Sequence, residues 1–176
     1  QPDELLEDMR ERIAQAETLL PQLRGLIPQH GNIQVLYFEG LKGIEEALLH
    51  RQQAMTGKKI VGFYAHSSDD PGEFAKIWGR SVKRIVKADI HTRGIMPCHM
   101  QTVTYMKELR KKHRLNIDMR TLPLEQYSSL VSIEVSDHLI LMISRHKDQT
   151  VIIENEDIAH TLRQLFELQW AMAQPI

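Results

Sequence analysis

The sequence holds a single cysteine, Cys98. No disulfide can form within the chain, and so sparse a thiol content fits a reducing, cytoplasmic setting. Aromatic residues make up only 6% of the chain, and the formal net charge is −1. A charge balance this close to neutral excludes a chain-wide electrostatic footprint for nucleic acid, while leaving open DNA contact through another segment. No apolar run reaches membrane-spanning length and no signal peptide is visible. Phosphate-cradling and nucleophile-elbow motifs are missing as well: there is no G-x-G-x-x-G, no Walker loop and no G-x-S-x-G. No internal repeat or low-complexity segment stands out. An initiator methionine is also lacking; the chain opens Gln1-Pro2-Asp3, and the expectation is a piece of something longer.

What is present is ordinary for a globular domain: 42% apolar and 26% charged residues over 176 positions, enough for one domain plus an extension. The clearest unit closes the chain, over 151–173. An apolar strand, 151–153, runs into Asn155, whose side-chain oxygen suits a helix N-cap. Glu156 and Asp157 put negative charge where the helix dipole favours it. Ile158, Leu162, Leu165, Phe166 and Trp170 then form an apolar stripe, and stripe aromatics of this kind are expected to pack in a core.

At the other end, Leu6, Met9, Ile13, Ala16, Leu20, Leu23 and Ile27 alternate at spacings of 3 and 4. That is the seam of a coiled coil, and the expectation is a long linker helix that pairs with its twin in a homodimer. Packing on its own domain is the alternative, and Pro21 interrupts the seam. Pro28 to Asn32 breaks the chain, which divides it into a linker over 1–30 and a globular part over 31–176. Strands are expected over 33–38, 59–64, 87–93, 116–122, 130–135, 139–144 and 151–153. Helices are expected from 40 to about 55, 73–86 and 103–112. Alternation of strand and helix at the start points to a mostly parallel sheet, and the later strands to an antiparallel addition. The fold class is α/β, a mixed sheet covered by helices and preceded by the long helix.

Two stretches carry a family resemblance. Val35-Leu36-Tyr37-Phe38-Glu39-Gly40-Leu41-Lys42-Gly43-Ile44 resembles the opening of the effector domain of TrmB-family transcriptional regulators. Residues 151–159, with Phe166-Glu167-Leu168 and Trp170, resemble the closing strand and helix of the same family. The resemblance spans 33–173 and implies a phospholipase-D-like fold, usually non-enzymatic, with the heptad helix as dimerising linker. It also implies DNA binding through an N-terminal winged-helix domain, which nothing in this sequence matches.

The phospholipase-D analogy can be tested against the residues, because that chemistry needs a His nucleophile, a phosphate-holding Lys and an orienting Asp at H-x-K-x4-D spacing. No histidine has lysine two positions on. His138 stands in a plausible place, but Ile140 occupies the lysine position and Arg145 the aspartate position. The expectation is a catalytically inert chain, with a diverged phosphodiesterase-like hydrolase or a ligand-free dimerisation module as alternatives. Zinc is considered at His91, Cys98 and His99, which lack the paired spacing of a structural site, so neither metal nor cofactor is expected.

A ligand pocket is expected beyond the carboxyl ends of the parallel strands. Glu39 there could accept from sugar hydroxyls or an amine, or simply cap a helix. Tyr64, His66 and Ser67 lie in a loop able to hold an anion or polyol. Arg93 and Arg120 could clamp a carboxylate or phosphate, or pair at the surface. A sugar or anion is the expected effector. The basic run Lys107, Arg110, Lys111, Lys112 and Arg114 reads as a solvated helix end.

Overall fold

The computed structural model describes residues 33–55, 57–65 and 73–176. The linker seam, His66 and Ser67 lie outside the described residues. The described part is a single open sheet of eight strands: β1 (Gln34–Glu39), β2 (Lys59–Phe63), β3 (His91–Pro97), β4 (Ile117–Leu122), β5 (Ser132–Val135), β6 (Leu139–Ser144), β7 (Gln149–Glu154) and β8 (Gln174–Pro175). Four helices join them: α1 (Gly40–Met55), α2 (Glu73–Lys87), α3 (Met100–His113) and α4 (Glu156–Met172). No described helix is long and apolar enough to cross a membrane.

The strand order is β1-β7-β6-β5-β2-β3-β4-β8. Only β2–β3 and β3–β4 pair in parallel; the remaining neighbours are antiparallel. The expectation of a mostly parallel sheet is therefore corrected. β1 does not join β2 through a crossover. The hairpin β6–β7 and strand β5 sit between them, so β1 pairs with β7 at one edge. The mixed α/β class itself is what the structure displays.

Strand β3 begins four residues later than the sequence suggests, at His91 rather than 87. Lys87 still belongs to α2, and Asp89 takes a left-handed φ of 48° to turn the chain into the strand. Gly94, one residue past the expected end of the strand, lies inside it opposite Gly62 and Met119. A Cβ there would meet the Met119 sulfur and the Tyr64 ring at 2.6 Å, so a close side-chain approach, not a turn, requires the glycine.

The two faces bury separate cores. On the face of α1, Ile44 and Leu48 of that helix pack with Ile60, Ile90, Leu139, Leu141 and Ile152. On the opposite face Val61, Ile95, Val135 and Ile140 pack against Ala159, Phe166 and Ala173 at and just beyond α4. Phe166 is fully buried and meets Phe63 edge-on at 5.4 Å; a side chain of this kind stabilises the fold by roughly 1.5–3 kcal/mol. Asn155 caps α4 as expected, its side chain accepting from the Ile158 amide at 2.8 Å. Leu165, expected in the stripe, is half exposed instead. With Phe166 one residue on aimed at the sheet, the 100° step of the helix turns Leu165 off the core-facing arc.

Candidate functional site

Strand alternation puts Arg93 of β3 and Arg120 of β4 on the face that α4 covers, beside Phe63 and Ile95 of the core. Both guanidiniums lie 4.4 Å from the centroid of the Trp170 ring, and Arg93 also sits 5.4 Å from that of Phe166. Arg93 donates from both Nη atoms to Glu167, at 2.6 and 3.0 Å, in the bidentate geometry guanidinium favours. Arg120 Nη1 donates to the Trp170 carbonyl at 2.8 Å and the Ala173 carbonyl at 3.4 Å. Arg120 thus adds a charged donor to carbonyls at the end of α4, where helical partners run out and Trp170 otherwise accepts only a 3.3 Å bond from the Ala173 amide. Each cation–π contact at such partly exposed positions adds about 0.5–1 kcal/mol, so the two arginines tie the closing helix to the sheet.

Beside them opens a cleft of about 420 Å³, lined among others by Arg93, Arg110, Asp118, Arg120, Trp170 and Ile176. Arg110 reaches it from the last turn of α3. Asp118 lies 3.4 Å from the His91 Nε2 across β3 and β4. Three guanidiniums against one carboxylate give the cleft a positive lining. Arrangements of this kind hold carboxylates and phosphates.

The opposite face of the sheet holds a buried polar network. Arg51 Nη1 donates to Glu134 at 2.7 Å and Nη2 to Ser81 at 3.0 Å, while the Tyr64 hydroxyl donates to the other Glu134 oxygen at 3.0 Å. Burial, and then the negative charge of Glu134, push the Tyr64 phenol well above its ordinary 10.0. Tyr64 lies over Gly62 and Gly94, whose missing Cβ atoms make room for the ring.

Of the residues the sequence singled out as ligand contacts, the structure brings Arg93 and Arg120 together. It puts Tyr64 across the sheet from them, in the network. Glu39 is exposed at the end of edge strand β1, with β7, β6, β5 and β2 between it and Arg93. His138 follows the β5–β6 turn, and its carbonyl accepts from the Asn155 amide at 2.7 Å. Ile140 is fully buried, and Arg145 stacks 4.1 Å from the centroid of the Phe74 ring. Cys98 is exposed, and His91 pairs with Asp118.

Sequence reasoning missed Arg51, Glu134 and Glu167, and it left Arg110 in a solvated helix end. Arg51 carried a usable signal: it stands three residues after Leu48 and four before Met55, on the apolar side of α1. Glu134 was likewise flanked by apolar residues in a strand. Glu167 and Arg110 look in sequence like any exposed helix charge.

No family model matches the sequence, and no curated protein matches it. Solved structures do. TrmBL2, an archaeal chromatin protein described as showing a novel mode of DNA binding, matches with a TM-score of 0.51 at 12% identity, over 99% of this chain and 66% of that one. NucT from Helicobacter pylori matches with a TM-score of 0.55 at 9% identity, over 82% of this chain and all of that one. The phosphatidylserine synthase of Haemophilus influenzae Rd KW20 matches with a TM-score of 0.51 at 11% identity, over 82% of this chain and 39% of that one. These chains share the fold. The present chain spans about two thirds of TrmBL2 and well under half of the synthase. The expectation of catalytic inertness is corrected here, because the fold is also that of a synthase. Lacking one motif excludes one mechanism, and inertness does not follow from it.

Proposed function

We propose that this chain is the dimerising, effector-sensing part of a TrmB-like DNA-binding transcriptional regulator. DNA contact would fall to a winged-helix domain outside the fold described here, and the setting would be the cytoplasm. The observation that carries this reading is the extent of the likeness to TrmBL2, which runs over 99% of the chain where the other two structures reach 82%. Two features of the sequence support it independently: the heptad seam from Leu6 to Ile27, and the two stretches that resemble a TrmB-family effector domain.

The mechanism is a population shift. A ligand held beside α4 prefers one arrangement of the paired domains, biases the linker helices and so sets the spacing of DNA-binding domains on their half-sites. The sensing site is the arginine cleft, since Arg93 and Arg120 both grip the helix that closes the fold and line the space a ligand would enter. Sedimentation velocity on the 176-residue chain and on its Ile13→Glu/Leu20→Glu variant tests the paired state. A dimer that the double substitution converts to monomer supports the reading; a wild-type monomer at all concentrations removes it.

A further inference from the structure

We propose that the cleft bounded by Arg110, Arg120 and Asp118 is a binding site for a small multivalent anion bearing phosphate or several carboxylates, and not for an uncharged sugar. The inference rests on the sensor reading for its biological role, and on charge and geometry for its chemistry.

The three arginines of the cleft differ in what they already do. Arg93 is neutralised in place by the bidentate contact with Glu167. Arg120 spends Nη1 on the carbonyls of Trp170 and Ala173, acceptors without formal charge, and its Nη2 and Nε make no hydrogen bond among the described residues. Arg110 makes no hydrogen bond, ion pair or ring contact among the described residues. Asp118, the acidic side chain of the lining, lies 3.4 Å from the His91 Nε2. Arg110 and Arg120 therefore share one cleft of about 420 Å³ with Asp118 as its one acidic side chain.

The dipole of α3 accounts for cations in its last turn, where Arg110, Lys111, Lys112 and His113 all stand. Of these only Arg110 lines the cleft. An anion between Arg110 and Arg120 would accept charge-assisted hydrogen bonds from both while Asp118 repels a second one from the rim. Trp170 favours the same ligand class. With guanidiniums against its ring, the indole is already occupied and offers a sugar no stacking platform. Arg120 is also held in place by Trp170 before any ligand arrives, which lowers the ordering cost of binding.

The test is a thermal-shift and calorimetric titration of the 176-residue chain with pyrophosphate and with citrate. Controls are sodium chloride at matched ionic strength, a neutral disaccharide and a short DNA duplex. Arg110→Gln is the diagnostic variant, because a side chain with no partner among the described residues can be changed without disturbing their packing. Pyrophosphate or citrate should raise the melting temperature of the wild type. Arg110→Gln should melt unchanged in buffer and bind about tenfold or more weakly, the usual loss for a hydrogen bond to a charged group. Equal shifts in the two proteins, or an equal shift from sodium chloride, would overturn the site. An Arg110-dependent response to the disaccharide, or to the duplex in place of both small anions, would overturn the ligand class. Arg110-dependent anion binding that leaves the dimer unaltered would keep this site and end the sensor reading, so the two proposals can fail separately.

Discussion

The guanidinium of Arg51 in α1 and the carboxylate of Glu134 in β5 lie 2.7 Å apart, both almost completely buried. Their partners Ser81 and Tyr64 extend the contact to α2 and to the chain just after β2, so one network ties two helices to the centre of the sheet. Removing one charge from a buried pair leaves the other unpaired, whereas removing both relieves the desolvation penalty. Arg51→Met should therefore lower unfolding stability by about 3–5 kcal/mol, and Arg51→Met/Glu134→Leu should recover most of that loss. Urea denaturation of the wild type and both variants checks this. A single variant within ~1 kcal/mol of the wild type would mean the pair is solvated.

Tyr64 supplies a pH dependence. Its phenol titrates well above 10.0 in the fold because burial and Glu134 disfavour the phenolate. The unfolded chain ionises at about 10, so the folded state holds its proton where the unfolded state has lost it. The stability this group contributes is present below about pH 10 and is lost as pH rises further. Tyr105 and Tyr127 are raised by burial too and act in the same direction. Tyr64→Phe should flatten part of the alkaline decline between about pH 9 and 11. Denaturation midpoints across that range that fall equally in both proteins would assign the effect to other groups.

Gly94→Ala probes the packing beneath Tyr64. The added methyl would lie 2.6 Å from the Met119 sulfur and from the Tyr64 ring. The thioether can move, but the ring is anchored by Glu134, so the substitution should cost about 1–3 kcal/mol. By loosening the phenol it should also flatten part of the alkaline decline, as Tyr64→Phe does.

Asn155→Ala removes the cap of α4 and should cost about 1 kcal/mol, measured by chemical denaturation. A loss below a few tenths would show the Ile158 amide finding water or another acceptor instead.

How far the sequence revealed this molecule depended on how local the signal was. Asn155, the acidic first turn and the stripe through Phe166 define α4 within about five turns of chain, and β6 matches its expected span of 139–144. β3 was misplaced because the end of α2 at Lys87 and the left-handed turn at Asp89 leave no break of Gly or Pro ahead of the strand, and because Gly94 is a packing glycine. The position of β1 beside β7 depends on contacts between residues more than 100 apart, which periodicity does not encode. Arg93 and Arg120 were legible as a pair, but their third partner was not: Arg110 belongs to a charged helix end, and only the turn of the sheet brings it to the cleft. Arg51 and Glu134 are 83 positions apart, and neither residue's own surroundings identify the other.

Ligand binding in this domain is proposed to change how two copies are arranged. This is tested most directly by distance measurement between spin labels in the linker, at Gln15→Cys in a Cys98→Ser background. The inter-protomer distance distribution should shift when the ligand giving the largest thermal stabilisation is added to saturation. No such shift should occur when Arg110→Gln abolishes binding. A distribution identical with and without saturating ligand, or no inter-protomer distance at all, would contradict it.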